Sequence, residues 1–302
     1  MTVLAVDLGG TKVDAALVGS DGTVLDASRR RAPTGSEAST DELVQRITGV
    51  VREALAAAPQ ASVSAVGLAA AGPVDESAGT ASPINLPALH GFPLRDTVAA
   101  AAGGLEVEFR RDGVAIAVAE QWLGAGRGHD NVLAMVISTG IGGGLVVGGR
   151  VLGGNAGHIG QVELSGFTGS ATEDRGILLE SVASGPHTVA WARERGFSGR
   201  TGEELGAAYR AGDPVAVAAV RRCALALGRG IGSAVALVPV DRVVLGGGFS
   251  SVADDFVTLV QEQVAVHPLP YVAAVRLVPA GLGKDAPLVG AAGLVYRRDL
   301  LS

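Results

Sequence analysis

Two apolar strands joined by a glycine-rich turn open the chain, and the same pattern returns in its middle. The first copy occupies residues 2–18 around Gly9-Gly10-Thr11, and the second occupies residues 132–147 around a turn at 139–144. After each copy, strands alternate with helical segments, an order that favours parallel strands with an antiparallel hairpin at the sheet edge. The chain of 302 residues is therefore predicted to fold as two α/β units.

Hydrophobic patterning predicts the remaining elements. Ser39 and Glu42 have capping-box spacing ahead of an apolar helical face, so a helix is expected at 41–58. Asp213 is the expected N-cap of a long helix that starts at Pro214. The other predicted elements are strands at 23–27, 63–68, 105–109, 242–245 and 275–278, and helices at 114–123, from about 252, and at 286–296.

Composition and charge exclude several classes of function. The 30 acidic and 24 basic residues give a net charge of −6, which argues against a nucleic-acid partner. Cys223 is the single cysteine, so neither an intrachain disulfide nor a cysteine cluster for zinc is expected. The opening MTVLAVDLGG has no basic n-region, and six glycines in the uncharged stretch 131–149 favour a hairpin over a membrane span. We expect a cytoplasmic protein without a membrane partner.

The first glycine turn offers several groups that hold phosphate. Gly9 and Gly10 let backbone N–H groups approach an anion unobstructed, while Thr11 adds a hydroxyl and Lys12 an ammonium. Asp7, just before the turn, suits a hydrated Mg²⁺, because this ion keeps several of its waters. Glycines also serve ordinary hairpins, so one such turn alone does not establish phosphate binding.

The second turn repeats this arrangement, and the repetition favours phosphate binding over two plain hairpins. Its candidate ATP-binding residues are Thr139, Gly140 and Gly142. A third cluster, Gly246-Gly247-Gly248, lies between a predicted strand and a predicted helix. There it either lets a flat purine lie against bare backbone or simply turns the chain.

These stretches together resemble the ROK family (repressor, open reading frame, kinase) of sugar kinases and sugar-sensing regulators. AVDLGGTKVDAAL resembles its first phosphate motif, ISTGIGGGLVVGGRV the second, VVLGGGFSS the adenosine motif and DAPLVGAAGL the closing helix. The stretches SPINLPALHGFPL, EQWLGAG and LLESVASGP also match in kind and order.

The resemblance implies the two-lobed actin-like ATPase (ribonuclease H-like) fold, each lobe a mixed α/β sheet flanked by helices. Residues 1–113 with 286–302 are the expected small lobe, and residues 114–285 the expected large lobe with the second phosphate and adenosine motifs. No winged-helix segment precedes the first strand, which favours the kinase branch of the family over the DNA-binding branch.

Asp112 matches the catalytic base of the family, an Asp at the end of a strand. Such a carboxylate orients a sugar hydroxyl and accepts its proton as phosphoryl transfer proceeds. The alternative is that Asp112 only caps the following helix. Arg111 replaces the usual Asn; it either lowers the proton affinity of Asp112 or recognises an acidic or acetamido group of the substrate.

Glu180 matches the sugar-binding Glu of the family, although a Glu at this place can also simply begin a helix. Asn85 and the backbone near Gly72 are further candidate sugar contacts. The usual Gly-Glu-Ile-Gly-His reads here as residues 157–161, with His158 in the Glu place and Gln161 in the His place. Both side chains can still hydrogen-bond sugar hydroxyls. No cysteine occurs from 170 to 178, where the family has its zinc motif, so no structural zinc is expected.

The resulting prediction is an ATP- and Mg²⁺-dependent kinase that phosphorylates a hexose or an N-acylhexosamine, with Asp112 as base and a homodimer as its assembly. A sugar-binding regulator without catalytic activity is the first alternative, since Arg111, His158 and Gln161 all depart from the family pattern. A mechanical or chaperone-like actin-type ATPase is the second.

Overall fold

The computed structural model describes residues 2–154, 156–167 and 177–301. The strands are β1 (Thr2–Leu8), β2 (Lys12–Gly19), β3 (Arg30–Pro33), β4 (Val63–Ala70), β5 (Val74–Asp75), β6 (Thr80–Ala81), β7 (Val107–Arg111), β8 (Val132–Ile137), β9 (Ile141–Val147), β10 (Arg150–Val151), β11 (Glu163–Leu164), β12 (Ile177–Leu178), β13 (Arg242–Gly246) and β14 (Arg276–Pro279). The helices are α1 (Thr40–Ala56), α2 (Leu94–Ala101), α3 (Asp112–Trp122), α4 (Leu179–Ala183), α5 (Gly185–Arg193), α6 (Gly202–Arg210), α7 (Pro214–Leu237), α8 (Phe256–Ala265), α9 (Pro270–Ala273) and α10 (Ala286–Tyr296).

The chain divides into two compact units. The first comprises the residues up to Arg127, Gly149–Ala156 and those from Leu282 onward; the second comprises Gly128–Gly148 and Gly157–Gly281. The sequence-based boundary after residue 113 separates α3 from the first lobe, whereas α3 packs against α10 inside the first unit. The apolar residues of α3 complete a core with α10, and this packing keeps the helix with the first unit.

The sheet of the first unit has the strand order β3-β2-β1-β4-β7. β1 pairs antiparallel with β2 and parallel with β4. Leu4, Val6 and Leu8 of β1 face the core that contains α1 and α2, and Val3 and Ala5 face the core that contains α3 and α10. Because both faces of β1 are covered, its sequence is an unbroken apolar run up to Asp7.

Within the second unit, the strands are in the order β9-β8-β13-β14, which corresponds to β2-β1-β4-β7 of the first unit. β8 pairs antiparallel with β9 and parallel with β13, so the uncharged stretch 131–149 is a hairpin, as predicted. No helix in the described parts of the chain is long and apolar enough to cross a membrane.

The helix caps that the sequence predicts are formed. The Ser39 hydroxyl accepts a hydrogen bond from the backbone N–H of Glu42 at 3.3 Å, and the Glu42 carboxylate accepts one from Ser39 N–H at 2.9 Å. The Asp213 carboxylate accepts hydrogen bonds from the N–H groups of residues 215 and 216 at 2.9 and 2.8 Å. Each cap satisfies N–H groups that a first helical turn leaves unpaired.

Two predicted elements differ from the structure, and one strand, β3, was not predicted. The strand expected at 23–27 is a single β-bridge at Val24 followed by a 3-10 turn, and β3 forms after it. The sequence RRAP of β3 lacks the alternation of apolar and polar residues that is typical of a strand. Its two arginines form ion pairs with acidic residues instead of facing a core. The helix expected from about 252 starts at Phe256, after a 3-10 turn at Gly248–Ser251.

Candidate active-site and nucleotide-binding residues

The first glycine turn is fixed by Thr34. Gly9 N–H donates to the carbonyl of Lys12 at 2.9 Å, which closes the turn. The Thr34 hydroxyl donates to Gly9 O at 2.9 Å, and Thr34 N–H donates to Thr11 O at 2.9 Å. The turn between β1 and β2 is therefore preformed, with two of its carbonyls held by one neighbouring residue.

Asn85 lies directly against this turn. A Cβ atom on Gly10 would lie 2.9 Å from Asn85 Cβ and 3.2 Å from its amide nitrogen, so only glycine lets the two segments approach this closely. The loop that carries Asn85 is tied by Ile84 N–H to the carbonyl of Gly72 at 3.3 Å. The structure thus brings together the predicted sugar contacts Gly72 and Asn85 and the predicted phosphate residue Gly10.

Asp7 ends β1 beside two other acids. It is opposite Asp14 in the β1–β2 register, and the ammonium of Lys12 lies 3.2 Å from the Asp14 carboxylate. Burial raises the pKa of Asp7 to about 7, and repulsion by Asp112 and Asp14 adds to this, whereas Lys12 lowers it. A divalent cation would relieve this repulsion, and a single carboxylate such as Asp7 suits a Mg²⁺ ion that keeps its waters.

Replacing Asp7 by Asn is expected to raise the free energy of unfolding at pH 8 by about 1–3 kcal/mol, because the amide carries no charge to bury. The value is smaller than the full pKa shift implies, because the carboxyl is partly exposed and solvent screens it. The pKa of Asp7 is about 7 in the folded protein against an ordinary value of 3.8 for an aspartate, so folding takes up a proton between these pH values. Stability of the native protein falls as pH rises from about 4 to 7 and stays low above, whereas an amide does not ionise.

Urea unfolding of both proteins from pH 4.5 to pH 8, without nucleotide or Mg²⁺, checks this. The free energy of unfolding of Asp7→Asn should exceed that of the native protein by an amount that grows with pH and levels off above pH 7. A stability difference that is constant over this range would contradict it.

Asp112 begins α3 where β7 ends. Its carboxylate accepts a hydrogen bond from Gly113 N–H at 2.6 Å and lies 3.9 Å from the guanidinium of Arg111. Burial raises the pKa of Asp112, while Arg111 and the Gly113 N–H lower it. The Asp112 side chain is nevertheless 45% exposed, so the carboxylate is open to a ligand. The N-cap residue, Arg111, makes no side-chain capping bond; Asp112 is the first residue of the helix, and its bond from Gly113 N–H is of the kind that the cap alternative expects.

Arg111 is an interior residue rather than a surface cation. It is only 1% exposed, and its guanidinium donates a hydrogen bond to the carbonyl of Ala156. Burial lowers the pKa of Arg111, and the negative charges of Asp112 and Glu76 raise it. The arginine therefore compensates charge beside Asp112, and its role as a substrate contact stays a prediction.

In the second unit, Glu180 contacts the second glycine turn. Its Oε2 accepts a hydrogen bond from Ile141 N–H at 2.7 Å. Ser138 N–H donates to Gly140 O at 2.9 Å, which closes the turn around Thr139. Glu180 lies in the first turn of α4, as the helix-start alternative expected, but its carboxylate contacts the phosphate turn, a contact that sequence patterns did not indicate.

The turn that carries His158 and Gln161 packs against the same hairpin. Gln161 N–H donates to His158 O at 2.9 Å. A Cβ on Gly157 would lie 2.7 Å from the carbonyl oxygen of Gly143, so close backbone approach requires glycine there. Gln161 is exposed and His158 partly so. Most of the stretch expected to lack the zinc motif, residues 170–176, lies outside the described residues; within the described ones no group of three or more His, Cys, Asp or Glu is placed to hold a metal ion.

An open cavity of about 420 Å³ in the second unit is lined by the predicted ATP-binding residues Thr139 and Gly248, among others. Gly247, at a φ of 96°, passes so close to the backbone of Ile137 that no side chain fits, and a Cβ on Gly246 would lie 2.8 Å from Ala280 Cβ. Sequence patterns missed the α6 side of this cavity. Its lining there comprises Arg200, Thr201, Gly202, Glu203, Gly206 and Arg210.

Two units with the same strand order, each carrying a glycine turn between its first two strands, define the actin-like ATPase class of folds. Comparison with known proteins identifies the family. The ROK family model matches residues 3–298, and the chain belongs to the ROK family.

Relatives match over their whole lengths. The chain is 32% identical over 303 residues to the N-acetylmannosamine kinase of Escherichia fergusonii, which covers 99% of this chain and 100% of that protein. It is 29% identical over 319 residues to the glucokinase of Thermotoga maritima, with 99% and 98% covered. A solved ROK glucokinase from Streptomyces griseus, in complex with glucose and AMPPNP, matches with a TM-score of 0.82 and 29% identity over 97% of this chain and 99% of that one.

Proposed function

We propose that this ATP-dependent carbohydrate kinase transfers the γ-phosphate of ATP to a hydroxyl of a hexose or an N-acylhexosamine, with Asp112 as the base. The observation that carries the proposal is the Asp112 carboxylate. It stands at the β7–α3 junction, 45% exposed, with its pKa raised by burial and a fixed arginine beside it. A carboxyl in this state binds a hydroxyl and accepts its proton.

The acid–base step follows from the relative acidities of the two groups. A sugar hydroxyl has a pKa far above 7, so Asp112 does not ionise it beforehand. The carboxylate orients the hydroxyl and takes its proton as the bond to phosphorus forms, when the oxygen becomes acidic. Burial raises the pKa of Asp112, which makes it a better proton acceptor, and the charge of Arg111 opposes this rise.

The glycine turns supply the phosphate contacts. The turn at Gly9-Gly10-Thr11 is held open for an anion by Thr34, and the turn at 138–141 is held by Glu180. The cavity beside Gly248 has room for a nucleoside. Asp7 would hold Mg²⁺ through water, and the cation would supply positive charge that offsets both the phosphate charge and the repulsion of Asp7 by Asp112 and Asp14.

Sugar recognition is assigned to Gly72, Asn85, Glu180, His158 and Gln161. The amide of Asn85 is exposed against the first turn, and the partly exposed Glu180 offers a second carboxylate oxygen beyond the one bound to Ile141. Planar amide and carboxyl groups reach two neighbouring hydroxyls at once, which suits a hexose ring. The curated relatives are named as kinases of glucose and of N-acetylmannosamine, and we propose the same two substrate classes for this chain, acting as a homodimer in the cytoplasm.

The catalytically inactive regulator is the weaker alternative. The departures at Arg111, His158 and Gln161 motivated it, yet Asp112 retains the exposure and charge environment that a base needs. The curated relatives named above, matched from end to end, are named kinases.

The test is a coupled assay of ADP release with MgATP and a panel of glucose, mannose, fructose, N-acetylglucosamine and N-acetylmannosamine, alongside thermal shift with each sugar. The proposal expects sugar-dependent turnover with at least one member and a stabilisation by that sugar. Stabilisation without turnover would select the regulator, and ATP hydrolysis that ignores every sugar would select an actin-type ATPase.

A further inference from the structure

The segment that runs from α4 into the first residue of α5 fastens both ends of the second glycine turn. Glu180 Oε2 accepts from Ile141 N–H at 2.7 Å at one end of the turn. At the other end, the N–H of Gly185, the first residue of α5, donates to Ser138 O at 2.9 Å. Two residues five positions apart, Glu180 and Gly185, thus hold the turn at Ile141 and at Ser138.

The shape of the turn is matched to the Glu180 carboxylate. A Cβ on Gly140 would lie 2.6 Å from Glu180 Oε2, so the carboxylate occupies the space that a side chain would need. The bond also uses the N–H of Ile141, which leaves phosphate to the N–H groups earlier in the turn. The charged acceptor makes this bond stronger than one between neutral groups.

The same helix is tied to the turn of His158 and Gln161. Leu179 N–H donates to Val162 O at 2.9 Å, directly after Gln161. The turn of His158 and Gln161 also packs against β9, since a Cβ added to Gly143 would lie 3.3 Å from Ile159 Cγ2. One element therefore holds a proposed sugar turn through Leu179 and the phosphate turn through Glu180.

We propose that Glu180 is a positioning residue for nucleotide binding: its carboxylate holds the turn at residues 138–141 in the shape that accepts phosphate, whether or not a sugar is bound. This rests on the proposed function and extends it, because a residue that contacts only sugar leaves the nucleotide site unchanged. When the turn is released, only the fraction of molecules with the correct turn binds, and the apparent Kd rises in proportion.

The experiment measures the Kd of a non-hydrolysable ATP analogue with Mg²⁺ by calorimetry, in the absence of any sugar. Glu180→Ala is expected to weaken binding about tenfold, because it removes the charged acceptor of Ile141 N–H. Glu180→Gln keeps an oxygen that can accept this bond and should stay within about threefold of the native protein. Ser181→Ala is the matched control in the same helix, because Ser181 is exposed and its hydroxyl donates to Leu178 O, away from the glycine turn.

The outcomes separate this inference from the proposed function. A native protein that binds no nucleotide overturns both. Native binding with an unchanged Kd in Glu180→Ala overturns the inference alone and leaves Glu180 as a sugar contact. Equal weakening in Glu180→Ala, Glu180→Gln and Ser181→Ala also overturns it, because a general loosening of α4 would then explain the result. Melting temperatures of all four proteins without ligand identify that case.

Discussion

Asp112→Asn is expected to lower kcat for sugar phosphorylation by about 10²- to 10⁴-fold while the KM values for sugar and ATP change little, because positioned general-base catalysis contributes a factor of this size. Asparagine has nearly the same shape, and its amide oxygen can still accept the 2.6 Å bond from Gly113 N–H, so the fold around α3 is retained. What the amide loses is the ability to take the hydroxyl proton.

Asp96→Asn is the matched control, since Asp96 is a 75% exposed carboxyl on α2 whose near cation is Arg95. It should leave kcat unchanged. The pH profile adds a second readout: activity of the native enzyme falls as Asp112 becomes protonated, and its raised pKa moves this acid limb above that of an ordinary aspartate. A variant that keeps a third or more of native kcat would remove Asp112 from the mechanism.

Gly67→Ala is expected to cost about 3–5 kcal/mol of unfolding free energy, a large share of the ~5–15 kcal/mol typical of a domain. Gly67 lies in the centre of β4, where the backbone of Ala291 in α10 passes directly over it. An added methyl group overlaps the carbonyl of Ala291. A backbone atom of a packed helix cannot rotate away as a side chain does, so the sheet and α10 must separate.

Gly49→Ala is the control for this substitution. Gly49 lies inside α1 with no atom near the position of an added Cβ, so alanine should stabilise the helix by about 0.5–1 kcal/mol. Urea unfolding of both variants gives the comparison. Equal stabilities for Gly67→Ala and the native protein would mean that β4 and α10 are not packed as closely as described.

The sequence predicted those elements whose signals are local. The capping box at Ser39 and the cap at Asp213 predict α1 and α7, and the repeated glycine hairpins predict both sheets. The arrangement of the first site was also predictable in part: Asn85 and Gly10 were both candidates, and the structure places them in contact.

Contacts between distant charged residues could not be predicted in this way. Lys12 was expected to serve phosphate, yet it lies beside Asp14, a carboxylate whose side chain is 6% exposed and which Arg31 also binds. The buried acid needs cations, and no local pattern shows which ones fold onto it. Burial raises the pKa of Asp14, but the bonds and charges of Arg31 and Lys12 outweigh burial and lower it. The bond of Glu180 to Ile141 is of the same kind, because 39 residues separate the two.

The double-sided burial of β1 has a consequence for engineering. Every residue from Val3 to Val6 packs against one core or the other, so the hairpin that ends in Gly9 and Gly10 has no freedom to slide or tilt. Libraries that seek a new phosphoryl donor should therefore spare the first hairpin and randomise the α6 rim of the cavity, where Arg200, Glu203 and Arg210 line open space and substitutions can be absorbed.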